Sequence, residues 1–149
     1  MRELIQLHNF HQKSIATFEE IDPQLSKLAE QVYAYTPPII DELPTNIPGI
    51  YTIGGGRQIG KTTMLKMWML KLLKNNISAK QIYFITGEVV RDHMQLIEII
   101  QACIADMSKH EMNYIIVDEV SYIQDWDKGV KFLADAGVLK QTECWKAPR

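Results

Sequence analysis

Short apolar runs alternate with helical repeats of apolar residues along most of the chain. Three runs rich in β-branched and aromatic residues predict strands at residues 50–53, 81–86 and 114–117. The last two runs are apolar at consecutive positions, which is typical of strands buried on both faces of a parallel sheet. Residues 61–75 and the segment after Asp92 have the composition and spacing of helices. The alternation predicts an α/β fold with three layers, α-β-α, and a parallel sheet.

Capping residues predict where several helices begin and end. Asp92 can cap the second core helix, with Gln95 three residues later as its capping-box partner. Asp125 is predicted to cap a third helix, which ends at Gly137 because glycine tolerates the left-handed conformation found there. The residues expected on the apolar face of that helix are Trp126, Val130 and Leu133.

The region before the first strand has a looser pattern. Asp22 and Pro23 form a helix start, an acidic N-cap followed by proline at the first helical position, and we predict a helix at residues 23–34. Several prolines follow and prevent that helix from continuing. We therefore divide the chain into a helical N-terminal arm with a Pro-rich connector, residues 1–48, and a core, residues 49–149.

Composition limits the class of protein and its partners. The 149 residues are 46% apolar and 23% charged, which is typical of one globular domain. The formal charge of −2 gives no sequence-wide attraction to nucleic acid or to an anionic membrane. The N-terminus lacks the pattern of a signal peptide, and Lys66 and Lys71 interrupt the most apolar helix. We expect a cytoplasmic protein that does not span a membrane.

Cysteine and histidine give no sign of a metal site. Cys103 and Cys144 lack metal-type spacing, so we expect two reduced thiols. The four histidines are scattered, and we expect solvated side chains. They are His8, His11, His93 and His110.

A phosphate-binding loop lies between the first strand and the helix at residues 61–75. Residues 55–62 fit the pattern G-x-x-x-x-G-K-[ST], in which backbone N–H groups form an anion-binding nest at a helix N-terminus. Lys61 can reach the β- and γ-phosphates, and the Thr62 hydroxyl can bind Mg²⁺. The alternative, a glycine-rich turn, leaves this Lys-Thr pair unexplained. The predicted nucleotide-binding residues are Gly55, Gly56, Arg57, Gln58, Ile59, Gly60, Lys61, Thr62 and Thr63.

Two acids follow the third strand, at the edge where parallel α/β sheets bind ligands. Asp118 is predicted to hold Mg²⁺ opposite Thr62, and Glu119 to position and polarise a water for attack on the γ-phosphate. Acids in this place can instead cap a helix or face water. The phosphate loop upstream favours the metal and catalytic roles, so the predicted catalytic residues are Glu119 and Lys61.

Other side chains are weaker candidates for nucleotide contacts. Tyr33, Tyr35 and Ile39 precede the phosphate loop and could cover an adenine ring, although packing against the sheet is the commoner role. Arg57 and Arg91 could contact phosphate or a neighbouring subunit, and for Arg91 a solvated side chain is the alternative.

These motifs resemble a family of predicted prokaryotic AAA-type P-loop ATPases, whose full-length members carry a further C-terminal domain of unknown function. The resemblance covers most of the chain and implies an AAA+ type P-loop NTPase fold, with ATP and Mg²⁺ as cofactors. It also implies ATP hydrolysis coupled to conformational work, without naming a substrate. The matching segments are Asp22-Pro23 with Leu25, Pro48-Gly49-Ile50-Tyr51, residues 55–63, Val117-Asp118-Glu119-Val120, Asp125-Trp126 and residues 132–137.

The chain departs from the family pattern after Gly137. Relatives have a further strand there, which lies between the first and third strands and ends in a polar sensor residue. Only residues 138–145 remain to take that place, and the last four residues, 146–149, resemble neither a sensor strand nor a domain linker, so we expect a core truncated before the sensor strand. Unpaired strand edges would be costly. We therefore predict that Thr142–Trp145 forms a short strand in the gap, or that another chain closes it.

Three functions are compatible with the sequence. The first is an ATP·Mg²⁺-binding AAA-type module that hydrolyses ATP. The second is a P-loop kinase, which Glu119 beside Asp118 disfavours. The third is a nucleotide-responsive interaction domain or a truncated remnant that does not hydrolyse ATP, which the departure after Gly137 favours. A protein partner or self-association stays open.

Overall fold

The structure is a computed structural model that describes Glu3 and residues 9–31, 36–54 and 60–147, with only the backbone of Lys146. Short 3₁₀ turns connect several of the elements in these ranges. The α-helices and strands are α1 (Ile15–Ile21), α2 (Pro23–Ala29), β1 (Gly49–Thr52), α3 (Lys61–Lys74), β2 (Ile82–Thr86), α4 (His93–Asp106), β3 (Asn113–Asp118), α5 (Trp126–Asp135) and β4 (Thr142–Lys146).

The four strands form one parallel sheet in the spatial order β1-β4-β3-β2. Ile50 of β1, Cys144 of β4 and Ile115 of β3 are neighbours across the sheet. At the carboxyl edge, Thr86 of β2 is paired with Asp118 of β3. The three strands predicted from apolar runs are present, and the predicted parallel α/β sheet is confirmed.

Helices cover both faces of the sheet and complete the three predicted layers. On one face, Trp68 of α3 packs against the rings of Tyr114 and Trp145, with 5.8 and 4.7 Å between ring centroids. On the other face, Ile100 of α4 and Leu133 of α5 belong to a second buried cluster. Among the helices of the described ranges, none has the length and apolar character needed to cross a bilayer.

Strand β4 occupies the central position where the family resemblance implied a gap. It pairs with β1 from Gly49↔Glu143 to Thr52↔Lys146, and with β3 from Asn113↔Thr142 to Val117↔Lys146. The prediction that residues 142–145 form a strand there is confirmed, and the pairing extends one residue further. The core therefore has its central strand, supplied by the segment after Gly137.

The polar residues of β4 explain why its sequence does not look like a buried strand. Glu143 is fully buried, and its carboxylate accepts hydrogen bonds from the Ile47 N–H at 3.1 Å and from Trp145 Nε1 at 3.0 Å. Burial raises the pKa of Glu143 above its usual value. Trp145 also stacks on Tyr51, with ring centroids 4.5 Å apart. Specific partners, and not apolar composition, hold this strand in the core.

The helix ends agree with the sequence in part. Asp92 accepts the predicted bond from the Gln95 N–H at 3.0 Å, but the Gln95 carboxamide accepts from the Arg91 N–H at 2.7 Å and does not complete the capping box. Asp125 precedes α5 in a left-handed conformation and makes no side-chain cap; instead it forms an ion pair with Lys128 at 3.3 Å. The predicted capping role of Asp125 is therefore wrong.

Other predicted ends are close to the observed ones. Gly137 has a φ of 72°, as expected for the glycine that follows a helix. Helix α3 ends at Lys74, next to the predicted end. Helix α2 ends at Ala29, earlier than predicted, and residues 32–35 lie outside the described part of the chain.

The two cysteines are as predicted, whereas one histidine is not. Cys103 and Cys144 are buried and free, and burial raises the pKa of Cys103 to about 12. His11 was expected in solvent but is 1% exposed, packed edge-on against Phe18. Its Nε2 lies 2.7 Å from the carbonyl oxygen of Ile82 in β2. The expectation of solvated histidines is thus wrong for His11, because the N-terminal arm folds back on the core.

The arm covers the outer edge of β2. The side chain of Asn9 accepts from the Phe84 N–H at 2.7 Å and donates to the Phe84 carbonyl at 2.9 Å. Together with the contact of His11 to Ile82, these bonds satisfy backbone groups that an edge strand would otherwise expose. The arm therefore substitutes for a neighbouring strand.

A buried ion pair fastens the arm to helix α3. Asp22 accepts hydrogen bonds from the backbone N–H groups of Gln24 and Leu25, at 3.1 and 3.3 Å, and so caps α2. The same carboxylate pairs with Lys66 of α3, and neither side chain is exposed. The Lys66 ammonium also lies 4.5 Å from the ring centroid of Phe84. Burial lowers the pKa of Lys66, and the hydrogen bond that Lys66 donates to Asp22 opposes that shift.

We expect Asp22→Ala to reduce the free energy of unfolding by about 3–5 kcal/mol, because it leaves the Lys66 charge buried without its partner. Urea unfolding followed by circular dichroism measures the change. Adding Lys66→Met to this variant should restore part of the stability, since no unpaired charge remains. Lys131→Ala, which breaks the exposed pair with Asp135, is the matched control. Equal stability of the control and Asp22→Ala would contradict the prediction.

We expect stability to fall as the pH drops from about 6.5 to about 4. Burial lowers the pKa of His11 to about 4, so the folded state favours the neutral ring, whereas the unfolded chain binds a proton near pH 6.5. The positive charge of Lys66 lowers the pKa of His11 further, and the negative charge of Asp22 opposes this. The full contribution, roughly 3 kcal/mol, is present above pH 6.5.

Urea unfolding at several pH values tests this dependence. His11→Gln should show a flatter profile over the same window, and His110→Gln, on the surface, should keep the wild-type slope. If the stability of His11→Gln falls with pH as steeply as that of the wild type, groups other than His11 cause the loss of stability.

Candidate functional site

The carboxyl edge of the sheet brings the two predicted halves of the site together. Thr62 is the second residue of α3, and Asp118 is the last residue of β3. The Thr62 hydroxyl donates a hydrogen bond to Asp118 Oδ2 at 2.5 Å. Asp118 is only 5% exposed, so this contact is largely shielded from solvent. Two oxygen ligands that are distant in sequence are therefore adjacent in space.

The start of α3 has the geometry expected after a phosphate-binding loop. Gly60 precedes the helix with a φ of 82°, a conformation that strongly favours glycine. Lys61 and Thr62 then occupy the first turn. The remaining loop residues of the motif lie outside the described part of the chain, so their predicted contacts stay predictions. They are Gly55, Gly56, Arg57, Gln58 and Ile59.

Glu119 is held in an uncommon backbone conformation. It follows β3 with a φ of 52°, in the left-handed region. A Cβ atom at Gly87, in the turn after β2, would overlap the carbonyl oxygen of Glu119, so only glycine permits this close approach. The Oε2 atom of Glu119 is buried and has no hydrogen-bond partner in the described residues. An orphaned carboxylate oxygen beside Asp118 is suited to receive a donor from a ligand or water.

A cavity of about 120 Å³ lies at this point. Its polar wall includes Thr62, Asp118 and Glu119, the side chains predicted from the sequence. The wall also includes Thr86 and Glu88 from the end of β2, and Gln24 from the arm.

The sequence analysis missed these three additional residues. The position of Thr86 was foreseeable, because the carboxyl ends of neighbouring parallel strands meet at the same edge, and Thr86 pairs with Asp118. Glu88 follows from the same rule. Nothing in the sequence places Gln24 there, because its position depends on how the arm docks.

A larger groove of about 370 Å³ adjoins the cavity. Thr63, predicted to bind nucleotide, lies on one side of the groove, and α2 with the residues after it forms the other. Gln24 borders both spaces. The residues of the α2 side are Pro23, Gln24, Lys27, Leu28 and Gln31.

Of the weaker candidates for nucleotide contacts, the structure describes only Ile39 and Arg91, and neither lines this cavity. Tyr33 and Tyr35 lie outside the described residues, and Ile39 is 47% exposed in the connector. Arg91 is a surface side chain, 78% exposed and paired with Asp92 at 3.0 Å. The solvated alternative for Arg91 is therefore correct, and Arg57 is again among the residues not described.

A larger cavity lies elsewhere. It measures about 600 Å³ and is bordered by Asn113 and Thr142, the first residues of β3 and β4. These residues mark the amino edge of the sheet, opposite Asp118. Parallel sheets of this class bind ligands at the carboxyl edge, so we place the functional site at the smaller cavity.

The donor set at the carboxyl edge fits a magnesium ion. Thr62 and Asp118 offer oxygen ligands, which Mg²⁺ prefers, and the ion usually takes only one or two carboxylates together with phosphate and water. In the described ranges, no group of three or more His, Cys, Asp or Glu residues could hold a metal by itself. A metal at this edge would therefore depend on a phosphate ligand to complete its shell.

Comparisons with known proteins agree with this architecture. Searches of curated proteins and of solved structures gave no match. A family model described as an AAA domain matches residues 48–145, which span all four strands and the site edge. This match covers more than half of the length of the chain, and the chain therefore belongs to the AAA domain family.

Proposed function

We propose that the chain binds ATP with Mg²⁺ at the carboxyl edge of the sheet and hydrolyses the γ-phosphate. The observation that carries this proposal is the hydrogen bond between Thr62 and Asp118 beside an acid-lined cavity. The two residues are 56 positions apart, and each belongs to a motif that the sequence predicts to bind magnesium. Membership of the AAA domain family supports nucleotide binding.

Thr62 and Asp118 would hold the metal. The metal that they hold would supply positive charge to offset the negative charge that develops on the phosphate oxygens during transfer. The hydrogen bond between the two side chains keeps both oxygens at one point before a ligand arrives. Such preorganisation lowers the cost of ordering the site on binding.

Lys61 and the loop before it would bind the phosphates. Lys61 occupies the first turn of α3, next to Thr62, where an ammonium group and the helix N-terminus both attract anions. The residues Gly55, Gly56, Arg57, Gln58 and Ile59 would supply backbone N–H groups to the phosphates, as their motif indicates. Gly60 and Thr63 would complete this cradle on the helix side.

Glu119 would act as the base. Its Oε2 is buried without a partner, so it can accept a hydrogen bond from a water in the cavity. In hydrolysis the carboxylate would orient that water and take its proton as the water oxygen bonds to the γ-phosphorus. The bond from the γ-phosphorus to the β–γ bridging oxygen would break, so that ADP leaves and inorganic phosphate is released. Asp118 is the last residue of β3, whereas Glu119 has a left-handed backbone, and we assign the two acids different tasks.

We expect Lys61→Ala to weaken ATP·Mg²⁺ affinity by about tenfold or more, since a hydrogen bond to a charged group contributes about 1.5–3 kcal/mol. Binding is measured by titration of a fluorescent ATP analogue and by ATP-dependent shifts in melting temperature. Lys71→Ala on the same helix is the control, because Lys71 instead contacts Asp41 and the Ile40 carbonyl. A wild type without any ATP-dependent shift at millimolar nucleotide would refute nucleotide binding.

We expect Glu119→Gln to keep ATP·Mg²⁺ binding and to lower phosphate release by about 10²–10⁴-fold, the usual effect of losing a general base. Asp118→Asn should instead raise the Mg²⁺ concentration needed for ATP binding, since it removes a charged metal ligand. Steady-state phosphate release and magnesium titrations measure the two effects.

The outcomes separate the alternatives. Equal losses of nucleotide affinity in both variants would contradict the division of roles. Wild-type ATP binding without phosphate release, and without transfer to an added acceptor, would indicate a nucleotide-responsive interaction domain that does not hydrolyse ATP.

A further inference from the structure

Gln24 connects the N-terminal arm to the site. It is the second residue of α2, and it borders the cavity of Thr62, Asp118 and Glu119. It also borders the adjoining groove beside Thr63. Gln24 lies outside the segment that matches the AAA domain, residues 48–145, so family membership gives it no role.

The carboxamide oxygen of Gln24 lacks a donor. Its Oε1 atom is buried and has no hydrogen-bond partner in the described part of the chain. Glu119 lines the same cavity, and its Oε2 atom is likewise buried without a hydrogen-bond partner in the described residues. A buried acceptor without a donor destabilises the protein, because it has lost its hydrogen bonds to water and gained none in return. Two such acceptors at one cavity indicate a ligand that brings donors with it.

The position of Gln24 is fixed relative to the metal ligands. Asp22 accepts a hydrogen bond from the Gln24 N–H at 3.1 Å and pairs with Lys66, and both charged side chains are fully buried. Lys66 lies one helical turn after Thr62 on α3. Gln24 and Thr62 are therefore joined through a short series of buried contacts, and not through a loose connector.

The chemistry of the ligand follows from the acceptor character of Oε1. A phosphate group offers this atom only further acceptors. A magnesium ion keeps several of its waters when it binds to proteins, and those waters donate hydrogen bonds outward. A cavity lined by Thr62, Asp118, Glu119 and Gln24 matches such a hydrated cation, with two oxygens to bind it and two to accept from its waters.

We propose that Gln24 is a positioning residue of the metal site, whose Oε1 accepts a hydrogen bond from the hydrated Mg²⁺ held by Thr62 and Asp118. This inference rests on the proposed function. It makes the arm part of the site, so that metal-dependent nucleotide binding requires a docked arm. Residues in such outer contacts typically change metal affinity by about 10–100-fold.

The test is a magnesium titration of ATP binding for three variants in the full chain. Gln24→Leu removes the acceptor at nearly constant size, and Gln24→Glu keeps an acceptor at the same length. Gln31→Leu is the matched control, because it removes the same group from the same arm, at the groove and away from the cavity. Affinity is measured with a fluorescent ATP analogue at a series of Mg²⁺ concentrations and in EDTA. Melting temperatures without ligand confirm that each variant is folded.

We expect Gln24→Leu to raise the Mg²⁺ concentration for half-maximal ATP binding about tenfold, without changing affinity in EDTA. Gln24→Glu should keep the wild-type magnesium requirement or lower it, and Gln31→Leu should match the wild type. A purely structural role would not move the magnesium requirement while leaving the affinity in EDTA intact.

Three results would overturn the proposal. The first is an unchanged magnesium requirement in Gln24→Leu. The second is an equal loss of affinity with and without magnesium, which would place Gln24 on the nucleotide itself. The third is the same loss in Gln24→Glu as in Gln24→Leu. If the wild type binds no ATP at any Mg²⁺ concentration, the proposed function is wrong as well. The three results above, in contrast, overturn only the role of Gln24, because the wild type still binds ATP in each of them.

Discussion

The parallel pairing of β4 with both β1 and β3 is the constraint on which the remainder of the structure depends. With neighbouring strands about 4.8 Å apart, the inserted strand sets the separation between the loop that follows β1 and the acids that follow β3. At that separation the first turn of α3 reaches across the edge of β4, and Thr62 meets Asp118 at 2.5 Å. Without β4 both backbone edges would be unpaired, and the two motifs would have no fixed relation.

The outer side of β2, an edge strand of the sheet, is covered by side chains of the arm and not by another strand. Asn9 and His11 bind the backbone of β2, which leaves fewer polar groups open to pairing with another chain. Desolvation of His11 is the cost, and it appears as a pKa lowered to about 4. The arm thus protects the sheet and carries α2 to the site edge.

The buried ion pair of Lys66 and Asp22 also links the arm to the site. The buried Lys66 lies behind the site, paired with Asp22 and close enough to Asp118 for the two charges to interact. One cation therefore stabilises a carboxylate that caps the arm helix and acts on a carboxylate that faces the proposed metal. A buried pair of this kind contributes little net stability compared with an apolar pair, but the loss of one partner is costly. Its main consequence is positional, since it fixes Gln24 relative to Thr62.

The sequence by itself determined the strands at β1, β2 and β3, the helices between them, and the choice of Thr62, Asp118 and Glu119 as candidate site residues. These features depend on local patterns: apolar runs, caps, and motif residues next to a strand end. The strand at residues 142–145 follows only from the gap that the family resemblance implies, and no apolar pattern marks it, because the buried Glu143 carboxylate depends on the Ile47 N–H, which only the fold brings near. The burial of His11 and Lys66 and the place of Gln24 in the cavity also escaped the sequence. Polar residues give no periodic signal of burial, so only the tertiary structure, by supplying their partners, decided where they lie.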